Sequence, residues 1–136
     1  EALDFLFATQ IQPKFNKKCL TFVSLYPASQ AALAQINPDD KKTALRFEVF
    51  YNGQELGNAY QELRQADELQ NRFATDNQYR KNCGLATIEV DTNLIEATKS
   101  GMPMCSGIAV GIDRLLMVLL DLSHIEEVIS FTADQA

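Results

Sequence analysis

The dipeptide Asn52-Gly53 lies between residues 44–51 and residues 54–63, both with the residue pattern of strands, and it is the strongest short-range signal for a β-hairpin that a sequence carries. A two-residue turn there pairs Tyr51 with Gln54 and Phe50 with Glu55, and so sets Glu48 opposite Gly57. The ribbon also orders three acids, Glu48, Glu55 and Glu62, at intervals of seven. On this register Glu48 and Glu55 are diagonal neighbours on one face, where two carboxylates repel unless a cation lies between them. A hard divalent ion such as Mg²⁺, shared with phosphate oxygens, would remove that repulsion. Glu62 has the opposite parity and joins the pair only if a residue bulges out, as Gly57-Asn58 would allow. Plain solvent-facing glutamates are the competing reading.

A second constellation lies in residues 106–114, Ser-Gly-Ile-Ala-Val-Gly-Ile-Asp-Arg. Gly107, Ala109 and Gly111 recur at every second position, so in a strand they form one nearly bare face while Ile108, Val110 and Ile112 form the other. A bare strand face lets a ligand or another backbone come close. Arg114 then opens the apolar run 115–120, which predicts a helix buried on most sides. At such a junction an arginine can offer its rigid, charged fork to phosphate oxygens. The alternative is a buried strand in which Asp113 caps the helix and Arg114 makes a structural ion pair.

The rest of the chain reads as antiparallel α+β, a sheet flanked by helices. Residues 1–9 are expected to end a helix before Pro13. Residues 20–25 form a strand, 28–35 a short helix or turn, and 38–40 a loop. A polar helix is expected over 66–82, with Leu69, Phe73 and Asn77 inward and Gly84 as its stop. Another covers 91–99, capped by Asp91 and followed by Gly101. A short strand over 128–131 closes the series. With 136 residues the chain is one domain or a piece of one. Twelve basic and eighteen acidic residues give a net charge of −6, which argues against a general DNA- or tRNA-binding surface. Cys19, Cys83 and Cys105 are odd in number and widely spaced, as expected of free thiols in the cytoplasm. No run has the length of a membrane span, and no secretion signal opens the chain. His124, the only histidine, is expected at the surface or in a cap.

Taken together, FEVFYNGQELGNAYQEL followed by helices and then GIAVGIDRLLMVLL resembles the second half of the class II lysyl-tRNA synthetase catalytic domain, with GIAVGIDR at that class's motif 3. Within that superfamily, the PASQ string at 27–30, the MP-x-CSG run at 102–107 and Ala109 in place of the middle glycine resemble the truncated, synthetase-like enzymes that join β-lysine to elongation factor P. The resemblance covers nearly all of residues 1–136 and implies the C-terminal part of one catalytic domain. It also implies ATP and Mg²⁺, a homodimer in the full-length protein, and an inactive fragment, since motifs 1 and 2 precede this region.

Residue by residue, the resemblance places Glu48 and Glu55 at the Mg²⁺-ATP site, with Leu56 in nucleotide contact. Gly111 would admit ATP and Arg114 would hold its γ-phosphate. Asn58 and Glu62 would bind the lysine-type substrate, Glu62 through an amino group, and the Ala109 methyl would reshape the amino-acid pocket. The implied chemistry is adenylate formation followed by attack of an acceptor amine. Two other readings stay open: a lysyl-tRNA synthetase fragment that charges tRNA with lysine, and a non-catalytic binding or dimerisation module. A nicotinamide-dinucleotide fold fits poorly, because the glycines sit in a strand and not in a strand-to-helix turn.

Overall fold

The computed structural model describes residues 2–133 and 135. Four strands, β1 (Thr21–Ser24), β2 (Arg46–Tyr51), β3 (Gln54–Gln61) and β4 (Ser106–Val110), form an antiparallel sheet in the order β1-β2-β3-β4. The helices are α1 (Ala2–Leu6), α2 (Ala66–Asn82), α3 (Thr92–Lys99) and α4 (Ile112–Leu120). The fold is therefore α+β. Among the described residues no helix is long and apolar enough to cross a membrane. The chain divides into two compact units, one of residues 1–24, 47–59 and 108–136, the other of residues 25–46 and 60–107.

In the first unit, Asn52 and Gly53 take φ of 50° and 75°, the two positive values a type I′ turn needs between β2 and β3. On the other side of β2, Phe22 of β1 pairs with Val49 and Val23 with Glu48. Phe50, only 2% exposed, is packed by Phe7 and Phe15 with ring centroids 5.8 and 5.3 Å away. Such edge and tilted contacts are worth about 0.5–1.5 kcal/mol each beyond area burial. They fix the N-terminal segment on this unit, and Gln12 Nε2 adds a 2.8 Å bond to the Gly53 carbonyl.

The N-terminal helix ends before Pro13, as expected, with α1 stopping at Leu6. After α1 the backbone widens into a π-helical turn, Phe7–Ile11, and then tightens into a 3₁₀ turn, Gln12–Lys14. Pro13 enters in the first turn of that last piece, where its missing N–H breaks no helical bond. Two expectations need correction. The α4 helix is not buried on most sides: only Met117 is buried, while Ile112 and Leu119 are 68% and 71% exposed. Apolar periodicity reported the run's composition, but the described residues supply no layer over that face. No strand forms over 128–131 either, because the amides of Val128 and Ile129 turn back onto the Ile125 carbonyl and close a 3₁₀ turn, Ile125–Glu127. His124 stands at the N-cap of that turn, its carbonyl accepting the Glu127 amide at 3.2 Å while its own amide donates to Glu127 Oε2 at 3.0 Å.

In the second unit, Leu63, Leu69 and Ile95 form a core that Leu33, Phe73, Val90 and Leu94 complete. α2 ends where expected: Gly84 at φ 71° lets its own amide and that of Leu85 reach the carbonyls of Lys81 and Arg80, a Schellman closure. Asn77 spans from α2 to the following loop, giving Nδ2 to the Ile88 carbonyl and accepting the Ile88 amide, both at 2.8 Å. Asp91 caps α3 by accepting the Leu94 amide at 3.0 Å. The PASQ segment contains a 3₁₀ turn, Ala28–Gln30, held by Arg46, whose Nη1 donates to the Gln30 carbonyl at 2.6 Å while its guanidinium lies 4.5 Å over the Tyr26 ring.

Candidate functional site

In the first unit the structure brings Arg114 and Glu55 together. Gly111, at the N-cap of α4 and just past the end of β4, donates its amide to the Leu56 carbonyl at 2.9 Å, which fixes where the helix starts. From the first turn of α4, Arg114 reaches back so that Nη1 donates to the Glu55 carbonyl at 2.9 Å and stands 4.0 Å from Glu55 Oε2. Both side chains remain open to solvent, 52% and 37% exposed. A pair this exposed contributes about 0–1 kcal/mol to stability. It leaves a charged fork available to an anion.

Gly111 is therefore a cap residue and not a member of the strand. A Cβ there would meet only the aliphatic stem of Arg114, at 3.7 Å or more, so its surface is otherwise open. Leu56 has its side chain in the core, 6% exposed, which leaves backbone and not side chain for any contact with a ligand.

The hairpin register departs from the expected one at Gly57. A Cβ on Gly57 would lie 3.4 Å from both Val49 Cγ1 and Ile108 Cδ1, so Val49 and not Glu48 shares the Gly57 face. Neighbouring strand residues point to opposite faces, and Glu48 therefore projects from the other one. This one-residue offset is what a bulge between the turn and Gly57 introduces. Asn58, next to Gly57, is then on the Glu48 face. A Cβ on Gly57 would also stand 3.0 Å from the Ala109 carbonyl, so β3 and β4 are in close backbone contact there.

Glu62 belongs to the second unit and is held on both sides. Its amide donates to the Cys105 carbonyl at 3.1 Å, its carbonyl accepts Gln35 Nε2 at 2.8 Å, and it bridges to Ala34. Gln61 adds a bond from Nε2 to the same Cys105 carbonyl at 2.9 Å and accepts Ser106 Oγ at 3.2 Å. The Glu62 carboxylate lies directly over Gly107, in the space a Cβ would fill. The clamp formed by Gln35, Gln61 and Ser106 had no signal in the sequence, since its partners are 27 to 45 residues apart.

All three cysteines are free, Cys105 being half-buried. Among the described residues no three His, Cys, Asp or Glu side chains converge as a ready metal cage. A cavity of about 150 Å³, lined by Lys17, Tyr51, Met117 and Asp121 among others, includes none of the anticipated site residues. It is smaller than the ~300 Å³ at which ligand pockets begin.

Residues 3–135 match the family model described as tRNA synthetases class II (D, K and N). The chain is 46% identical over 134 residues to the elongation factor P–(R)-β-lysine ligase of Haemophilus influenzae strain PittGG, and equally to that of strain ATCC 51907. These matches cover 98% of the chain and 42% of each relative, so the chain spans less than half the length of the curated relatives it matches.

Proposed function

We propose a function from one premise: this chain belongs to the class II tRNA synthetases (D, K and N). It is the C-terminal part of a single synthetase-like catalytic domain, and the whole enzyme activates (R)-β-lysine with ATP and transfers it to a lysine side chain of elongation factor P. The reading rests on one geometric observation. Arg114 is delivered by a strand-to-helix junction onto Glu55, which puts a cation for phosphate beside an acid for metal.

In the first step a carboxylate oxygen of β-lysine attacks the α-phosphate of ATP, forming the aminoacyl adenylate and releasing pyrophosphate. Arg114 holds the γ-phosphate and stabilises charge that builds on the leaving group. The open backbone at Gly111 admits the nucleotide. Glu48 and Glu55 are hard oxygen donors, and with no third ligand converging among the described residues they suit an ion that keeps water and phosphate oxygens in its shell, as Mg²⁺ does. When bound, that ion neutralises phosphate charge. Glu62 receives an amino group of β-lysine, with Asn58 beside the substrate and the Ala109 methyl shaping its pocket. In the second step the acceptor amine attacks the activated carbonyl and displaces AMP. No cysteine is needed as a nucleophile, and Cys105 serves as packing.

Support for the acceptor comes from the names of the relatives. A homodimer in the cytoplasm is part of the same proposal. The test is pyrophosphate exchange by the full-length protein with α-lysine and β-lysine, followed by transfer to elongation factor P or to tRNA. Exchange with β-lysine and labelling of elongation factor P are expected. Exchange with neither isomer overturns the enzyme reading, and charging of tRNA makes the protein a lysyl-tRNA synthetase.

A further inference from the structure

We infer that Gly107 is a positioning residue whose missing side chain seats the Glu62 carboxylate; this rests on the reading of Glu62 as the acid that receives the substrate amine. The observation is steric. A Cβ built on Gly107 would overlap Glu62 Oε1, and among the described residues beyond its chain neighbours the only other heavy atom within 4 Å is Cδ of the same carboxylate, at 3.5 Å. Gly107 has no positive φ, so its backbone does not require glycine. Glycine is required by the carboxylate lying across it.

The surroundings make that seat directional. Glu62 cannot slide along its strand, because its amide is tied to Cys105 and its carbonyl to Gln35. On the other strand Ser106 is tied to Gln61. With both backbones held, an added methyl at Gly107 is relieved by rotating the Glu62 side chain. The atom that must move is the far end of a flexible chain, so the fold bears the change at little cost. An acid whose task is to meet an ammonium group then points elsewhere, and ground-state binding of the amino acid weakens while ATP handling does not change.

The experiment uses the full-length protein and compares wild type, Gly107→Ala, Glu62→Asp and the double variant in pyrophosphate exchange with β-lysine. Gly107→Ala is expected to raise KM for β-lysine tenfold or more, with KM for ATP within twofold and a melting temperature within a few degrees of wild type. Glu62→Asp is shorter by one methylene and clears the methyl, so adding Gly107→Ala to it is expected to raise KM much less than in wild type. Equal effects of Gly107→Ala in both backgrounds, or an unchanged KM, overturn the proposal. A crystal structure of Gly107→Ala gives a separate readout: a displaced Glu62 carboxylate supports the seat, and an unmoved one overturns it. If Glu62→Gln leaves KM for β-lysine unchanged, the amine-binding reading of Glu62 fails, and with it the positioning role of Gly107.

Discussion

Arg114 Nη1 donates to the main-chain carbonyl of Glu55 at 2.9 Å and stands 4.0 Å from that residue's Oε2, so its anchor is the backbone and its charge is only partly engaged. A guanidinium held this way keeps its direction when the carboxylate turns to another partner. That is the property wanted of a phosphate ligand beside a metal-binding acid.

Arg114→Ala in the full-length protein is therefore expected to cut pyrophosphate exchange by about 10²–10³-fold. Stability should change by no more than about 1 kcal/mol, since the pair is exposed. Exchange kinetics and a thermal melt check both halves, and unchanged exchange rejects the phosphate role.

Glu48→Gln and Glu55→Gln each remove one hard anionic donor, so the Mg²⁺ concentration giving half-maximal exchange is expected to rise in both. A Mg²⁺ titration at fixed ATP is the measurement. A shift in neither variant removes these acids from the metal site.

Ala109→Gly deletes one methyl, and a methylene-sized change in a pocket is worth about 1–3 kcal/mol of discrimination. The ratio of kcat/KM for β-lysine over α-lysine is expected to fall about tenfold or more. An unaltered ratio would show that the methyl does not face the amino acid.

Asn77→Ala removes both hydrogen bonds to Ile88, each worth about 0.5–1.5 kcal/mol net. Faster hydrogen exchange at the Ile88 amide is expected, with pyrophosphate exchange intact. Protection equal to wild type would mean that this loop is held by something else.

Gly84→Ala forces a side chain into left-handed backbone at φ 71°. A loss of about 1–2 kcal/mol in denaturant unfolding is expected. No loss would mean that the closure of α2 re-forms another way.

Much of the fold was legible because its signals are local. The Asn52-Gly53 turn, the 66–82 helix with its Gly84 stop and the Asp91 cap each depend on residues within a few positions of one another, and the structure has all three. Leu69 and Phe73 of that helix face the core as expected, whereas Asn77 bonds the following loop at Ile88. What escaped depends on distant partners. An apolar run such as 112–120 states that a surface is suited to burial, not whether the chain in hand holds its cover. The hairpin register beyond the turn was off by one at Gly57, because a bulge is set by packing across strands and not by the turn. Arg114 was singled out from its junction position, yet its bond to a carbonyl 59 residues away has no sequence signature. The same holds for the carboxylate of Glu62 lying on Gly107.

The division of the chain has a consequence for its birth. One unit consists of residues 25–46 and 60–107, whereas the other needs residues 1–24, 47–59 and 108–136. During synthesis the former can close once position 107 has emerged, while residues 1–24 and 47–59 wait for residues 108–136. Helix α4 is thus made after the preceding segments of its own unit, and these must stay free of wrong partners until translation delivers it.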